Sequence, residues 1–280
     1  MPPVPEVYPC FLRRRSMAMF FFLPIDLQLI LALCFFLLGA FFGSALHCLA
    51  YRMVQGQSWA TGRSCCPICG HTLQAVDLIP VLSWIFLRGR CRHCGGKIPA
   101  RYILAEAGLG LVFVGMLLRF GLTRDTVNAL ILCCCLFCLS LVDWESRIIP
   151  HRFLVIPAVC RILQLLVEGG LLRSLLPALL FGGGLLALSL LMDHLLHKDT
   201  LGGGDIKLMA MLGLYFSIPE CLLLLMFACV SGILAVLLRN GQQDGSIPFG
   251  PFLSIAACFT LLFGDRIVSW YWGLFYYSGG

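Results

Sequence analysis

The stretch Leu201-Gly202-Gly203-Gly204-Asp205-Ile206-Lys207 sets one carboxylate behind three glycines at the mouth of an apolar segment. An acid is expensive to hold charged there, so its presence points to chemistry. Glycine lacks a Cβ, which lets the backbone turn sharply and a second chain lie against it. An enzyme that reads an extended peptide at membrane depth needs both. The same residues also suit a flexible connector between two membrane helices, with an acid turned to water. Asp143 narrows the choice. It closes the run Ala129 to Val142, apolar apart from Ser140, and precedes Trp144-Glu145-Ser146-Arg147-Ile148-Ile149-Pro150. If two carboxylates at the ends of separate hydrophobic segments meet in a bundle, they share a proton rather than both ionise. That is the arrangement of an aspartic protease, in which the ionised member takes a proton from the attacking water and the protonated member steadies the oxyanion. Placed at the bilayer midplane, the same pair would instead serve proton or cation transport.

A second constellation is made of cysteine. Cys66-Pro67-Ile68-Cys69 and Cys91-Arg92-His93-Cys94 are two C-x-x-C pairs at the spacing of a zinc ribbon. Four thiolates fill a tetrahedral Zn2+ shell with no open position, so the expected role is structural. Gly70 and Gly95-Gly96 follow the pairs, as tight knuckle turns around a metal require. Disulfides are the alternative, disfavoured in a reducing cytoplasm. Cys65 is a spare neighbour, and His71 and His93 are expected at the surface rather than as ligands. A domain of about fifty residues buries little core, so the metal would supply much of its folding energy. Most of the other cysteines among the sixteen sit in apolar segments, where cysteine acts as a small hydrophobe.

The elements that must position these groups are membrane helices. Of 280 residues, 60% are hydrophobic and 12% charged, and the mean hydropathy is +0.93, which excludes a soluble globular enzyme. The expected fold is an all-α polytopic membrane protein. The net charge of +6 gives no reason to expect a nucleic-acid partner. Residues 1–26 read as a mobile or interfacial N-terminal arm. Arg13-Arg14-Arg15 precedes an apolar run without a small-residue cleavage site, so the first segment is expected to be retained. The first transmembrane helix occupies 27–52 and ends on the anchor Tyr51-Arg52. Residues 53–101 form the polar, metal-binding domain, and 102–280 the transmembrane core.

Spans in that core are expected near 102–118, 127–142, 153–167, 175–191, 206–216, 221–238 and 249–267, making eight in all. The sixth is short enough to be tilted or re-entrant. Alternation puts 53–101, 143–152, 193–205 and 239–246 on one side. Seven basic residues from Arg52 to Arg101 outweigh the three N-terminal arginines and make that side cytoplasmic. Both acids then stand at cytoplasmic helix ends, away from the midplane.

An ordered set of motifs carries a resemblance. It comprises Gly43-Ser44 with Tyr51-Arg52, the two cysteine pairs, Ile79-Pro80-Val81-Leu82-Ser83-Trp84, Arg88-Gly89-Arg90-Cys91, and Arg101-Tyr102 with Glu106. Asp143 with Ile149-Pro150, Gly202 to Lys207, and Pro248-Phe249-Gly250-Pro251-Phe252 complete it. Together they resemble the type IV prepilin leader peptidase and N-methyltransferase family of pilus and type II secretion systems. The resemblance implies an intramembrane aspartic endopeptidase of the GxGD type, with Asp143 and Asp205 as the catalytic pair and Gly202, Gly203 and Gly204 positioning backbone. It implies cleavage of the basic leader of a prepilin or pseudopilin after glycine, at the cytoplasmic face of the bacterial inner membrane. Transfer of a methyl group from S-adenosylmethionine to the new N-terminal amine would follow.

Glu106 is expected to read the basic leader or support methyl transfer, the alternative being an ion pair with Arg101 or Arg161. Lys207 is expected to lend its charge near Asp205 or to a substrate carboxylate, the alternative being to snorkel to the interface. Three departures from the family pattern stand out. His47 replaces an asparagine, Asp77-Leu78 replaces an acid-asparagine pair, and His151 replaces an aspartate. The first two border the domain associated with methyl transfer, which keeps a peptidase without that activity as an alternative. Beyond the substrate and the lipid bilayer, a homo-oligomer is left open.

Overall fold

A computed structural model describes residues 23–58, 64–66, 68–197, 202–238 and 248–277. The N-terminal stretch up to residue 22, Leu201 and residues 239–247 lie outside the described residues. The chain forms two compact units, one running to Arg147 and the other starting at Ile148.

The first unit holds α1 (Ile25–Val54), a 3-10 turn (Ala75–Leu78), α2 (Leu82–Phe86), α3 (Arg101–Phe120) and α4 (Arg124–Ser146). Helix α1 packs on α3 and α4. In lipid there is little hydrophobic drive between helices, so close approach depends on small residues. A Cβ on Gly39 would lie 2.8 Å from the Gly110 Cα, and one on Gly43 would lie 3.0 Å from the Glu106 Cα. The two glycines, four residues apart, set the α1 backbone directly on α3. Fully buried Phe113, Met116 and Leu117 of α3 and Leu132, Leu136 and Leu139 of α4 form this unit's core. The Thr123 hydroxyl caps α4 by accepting the Thr126 N–H, and left-handed Arg147 (φ 56°) ends it.

The second unit holds α5 (Arg152–Glu168), α6 (Leu171–Leu196), α7 (Gly203–Leu212), α8 (Ile218–Leu238) and α9 (Gly250–Tyr277). Helix α7 packs on α5, α6 and α9, and α8 on α9. Its Leu208, Met209 and Leu212 are fully buried, so the shortest of these helices is the centre of the unit.

All eight apolar segments seen in the sequence fold as helices. Six of them, α1, α3, α4, α6, α8 and α9, are long and apolar enough to cross a membrane. Helix α5 has 17 residues and α7 has 10. At 1.5 Å per residue α7 is roughly 15 Å long, about half the hydrocarbon thickness. The expected sixth segment is therefore short as anticipated, but it begins at Gly203 rather than Ile206. That shift brings Asp205 inside the helix. No strand occurs among the described residues, and the only pairings are isolated bridges, Cys65 with Thr72 and Arg90 with Lys97.

Candidate active site and metal centre

Asp205 lies in the first turn of α7. Its N–H donates to the carbonyl of Gly202, which is extended (φ −64°, ψ 127°) and starts the helix. The Asp205 carboxylate folds back over that cap, because a Cβ on Gly202 would come 3.1 Å from Oδ2. At Gly204 a Cβ would lie 2.9 Å from the Cβ of Ile149, whereas at Gly203 it would meet nothing within 4 Å. None of the three has a positive φ. Gly202 and Gly204 thus serve closeness rather than a sharp turn, and it is the chain's own Ile149 that lies on Gly204.

Further along, a Cβ on Gly182 of α6 would lie 2.6 Å from the Ala210 Cβ, and one on Gly213 would run into the Ala178 backbone. Helix α7 is therefore gripped along its length by contacts that leave no room for a methyl group. Lys207 is exposed and lies about 200° round the helix from Asp205, so the structure does not bring the two together.

Asp143 is in the last turn of α4 and is 5% exposed. The helix runs through it to Ser146, and its carbonyl accepts the Arg147 N–H at 2.9 Å. The acid is thus fixed by helical backbone rather than left at a loose loop edge. Asp143 belongs to the first unit and Asp205 to the second.

The four cysteines of the paired motifs converge, with their Sγ atoms all within 4.8 Å of one another and Cys66 and Cys94 3.9 Å apart. A Zn–S distance of about 2.3 Å in a tetrahedron puts sulfurs about 3.8 Å apart, so the donor set fits such an ion. No disulfide joins the described cysteines. Each knuckle is closed in the same way. The Cys66 N–H donates to the His71 carbonyl and the Gly70 N–H to the Cys66 carbonyl, matched by Cys91 to Gly96 and Gly95 to Cys91. Gly70 (φ 68°) and Gly95 (φ 69°) take the left-handed conformation that this loop demands.

The contacts between the knuckles repeat too. A Cβ on Gly96 would press on Ile68, and at the equivalent positions His93 stacks on His71 with ring centroids 4.2 Å apart. Both histidines are exposed, and neither joins the thiol cluster. The backbone N–H groups of Cys69 and Ile68 pull the Cys66 thiol down to about 7. At Cys94 the Gly96 N–H pulls the same way, but burial and hydrogen bonds with Cys69, Cys91 and Cys66 outweigh it and push the thiol up to about 11. Four thiols this close cannot all ionise until a cation joins them.

Glu106 has a different partner from those expected. Its Oε2 accepts the Val81 N–H at 2.7 Å. Val81 has φ 63° and ψ −53°, and the Leu82 N–H reaches back to the Pro80 carbonyl at 2.6 Å. That is a γ-turn of the rare positive-φ kind, strained for any β-branched residue. A carboxylate on α3 therefore holds a tight bend of the polar domain. Arg161, the other expected partner, is engaged inside the second unit, on the Leu214 carbonyl and Gln164. Val81 and Ile149 enter the sequence analysis only as members of motifs, with no role attached to either. Nothing in a single chain marks a valine for positive φ, whereas the cation of Arg161 within an apolar segment was a visible signal.

Residues 37–120 match the bacterial peptidase A24 N-terminal domain, and residues 130–237 match the type IV leader peptidase family. A prepilin leader peptidase/N-methyltransferase of Aeromonas hydrophila is 38% identical over 224 residues, covering 75% of this chain and 74% of that one. The chain belongs to the type IV leader peptidase family. Proteins of the same name from Burkholderia pseudomallei (32% identical, 89% of each chain) and Pseudomonas aeruginosa (33%, covering 85% and 92%) are also similar. No solved structure matches.

Asp143 and Asp205 both fall in the stretch matching the type IV leader peptidase family, and the four cysteines and Glu106 in the N-terminal match. The three departures from the family pattern all have visible surroundings. The His47 ring lies 4.5 Å from that of Tyr102. Asp77 closes a capping box with Gln74 and binds the Arg92 Nε at 2.7 Å, tying the 3-10 turn to the second knuckle. His151 is exposed, and its carbonyl accepts two N–H groups of the first turn of α5.

Proposed function

We propose that this chain is an inner-membrane aspartic endopeptidase that removes the basic leader of type IV prepilins or type II secretion pseudopilins after glycine. It then N-methylates the new terminus. The observation that carries the reading is the seating of Asp205, in the first turn of a half-length helix whose Gly204 abuts Ile149, six residues beyond Asp143 along the chain. The positive end of a helix dipole favours an anion. Asp205 is accordingly the carboxylate that takes the proton from water, and Asp143 the group that donates to the developing oxyanion. A prepilin is an amphiphile with a basic leader and an apolar helix, so its cleavage point lies at the cytoplasmic membrane face. Helix ends at that face are open to water without an aqueous path through the bilayer.

Cys66, Cys69, Cys91 and Cys94 hold a structural Zn2+ in this reading, supported by the spacing of their sulfurs. S-adenosylmethionine, when bound, supplies the electrophilic methyl group.

The deciding experiment is cleavage of a co-expressed prepilin by wild type, Asp143→Asn and Asp205→Asn at matched membrane levels. Both variants should lose cleavage by at least 1,000-fold, of the order expected for removing one member of an acid-base pair. Wild-type cleavage in either sinks the aspartyl mechanism. A product that is cut but left unmethylated with S-adenosylmethionine present reduces the activity to the peptidase alone.

A further inference from the structure

Arg161 is 3% exposed in the middle of α5, whose Leu163, Leu166 and Val167 face outward. A cation within a hydrophobic segment is costly unless it is matched by specific partners. Arg161 has such partners. Arg161 Nε donates to the Leu214 carbonyl at 3.2 Å and Nη1 to Gln164 Oε1 at 3.0 Å. Gln164 Nε2 in turn donates to Glu168 Oε1 at 3.0 Å. The guanidinium lies 5.6 Å from the centroid of the Tyr215 ring, and the Tyr215 hydroxyl donates to the Pro157 carbonyl at 2.8 Å.

Leu214 and Tyr215 form the turn that closes α7, their N–H groups donating back to the Met211 and Leu212 carbonyls. The Leu214 carbonyl beyond that turn needs a donor in an apolar surround, and a helix C-terminus carries partial negative charge, so a buried guanidinium answers both needs. Asp205 occupies the opposite end of the same helix. We infer that Arg161 is a positioning residue for peptide cleavage. By anchoring the C-terminal end of α7 to α5, with Gln164 and Glu168 extending the network, it fixes the depth and rotation of the helix that presents Asp205.

This inference rests on the reading of Asp205 as catalytic, and the test separates the two. The full-length protein in nanodiscs is compared as wild type, Arg161→Gln, Arg161→Lys and Gln164→Leu. The measurements are prepilin cleavage and hydrogen exchange of peptides 203–214 and 101–120. Arg161→Gln should lower kcat at least tenfold with KM within twofold, and speed exchange in 203–214 while leaving 101–120 unchanged. Arg161→Lys keeps a cation for the Leu214 carbonyl and should recover at least a third of the lost kcat. Gln164→Leu keeps the charge but removes the Gln164 acceptor that holds the guanidinium, and should fall between wild type and Arg161→Gln.

Wild-type kcat and exchange in Arg161→Gln overturn the inference. So does faster exchange in both peptides together, if Gln164→Leu then behaves as wild type. If Asp205→Asn still cleaves while Arg161→Gln loosens 203–214, the catalytic reading of Asp205 fails and the anchoring of α7 stands.

Discussion

Three glycines in a row look interchangeable, yet residues 202, 203 and 204 answer to different neighbours. Gly204 has Ile149 against it, Gly202 has the Asp205 carboxylate folded over it, and Gly203 faces open space. Gly204→Ala should therefore destabilise by about 1–3 kcal/mol through overpacking and cut prepilin cleavage more than tenfold. Gly203→Ala, placed in a helix, should leave cleavage within about twofold and raise the detergent melting temperature slightly. Equal cleavage by the two variants would remove the packing explanation. The acids and cysteines were legible in the sequence because each is chemically out of place, an acid in an apolar run or a thiol paired at metal spacing. The glycines were legible as a motif but not in purpose. What presses on Gly204 is distant in sequence, and no local pattern names it.

At the scale of elements, hydropathy located the eight helices of the apolar segments but misjudged their ends, and it gave no sign of α2 inside the polar domain. Helix α1 runs from Ile25 to Val54 where the apolar stretch is Leu27 to Leu49, because backbone hydrogen bonds continue where lipid contact stops. The bend at Val81 lay beyond any periodicity, since its conformation is imposed from outside by the Glu106 carboxylate on α3. Val81→Gly should relieve strain of about 1 kcal/mol and raise the melting temperature. Glu106→Ala should lower it, and Val81→Gly combined with Glu106→Ala should recover most of that loss. If Val81→Gly proves destabilising, the γ-turn is not the strained element described above.

For the whole molecule, composition alone was enough for an all-α membrane protein. The division at Arg147, which leaves one acid on each side, was not, because the acids' hydrophobic segments look alike in sequence. The polar domain between α1 and α3 should carry a single zinc measured by mass spectrometry. Cys66→Ser should release it and expose the segment 64–100 to protease while the helical circular dichroism is retained. Full metal content in that variant would displace the four-thiol assignment.

The repeated knuckle loops bear on how such an ion is captured. Cys66 to His71 and Cys91 to Gly96 are each closed by their own backbone hydrogen bonds. An arriving ion therefore meets two ready-made bidentate clips rather than four independent thiols. On a chain whose polar domain is still open, uptake of such an ion would take two chelation steps, a local one at either clip and a second that needs closure of the chain between Cys69 and Cys91, whose entropy cost grows only slowly with loop length.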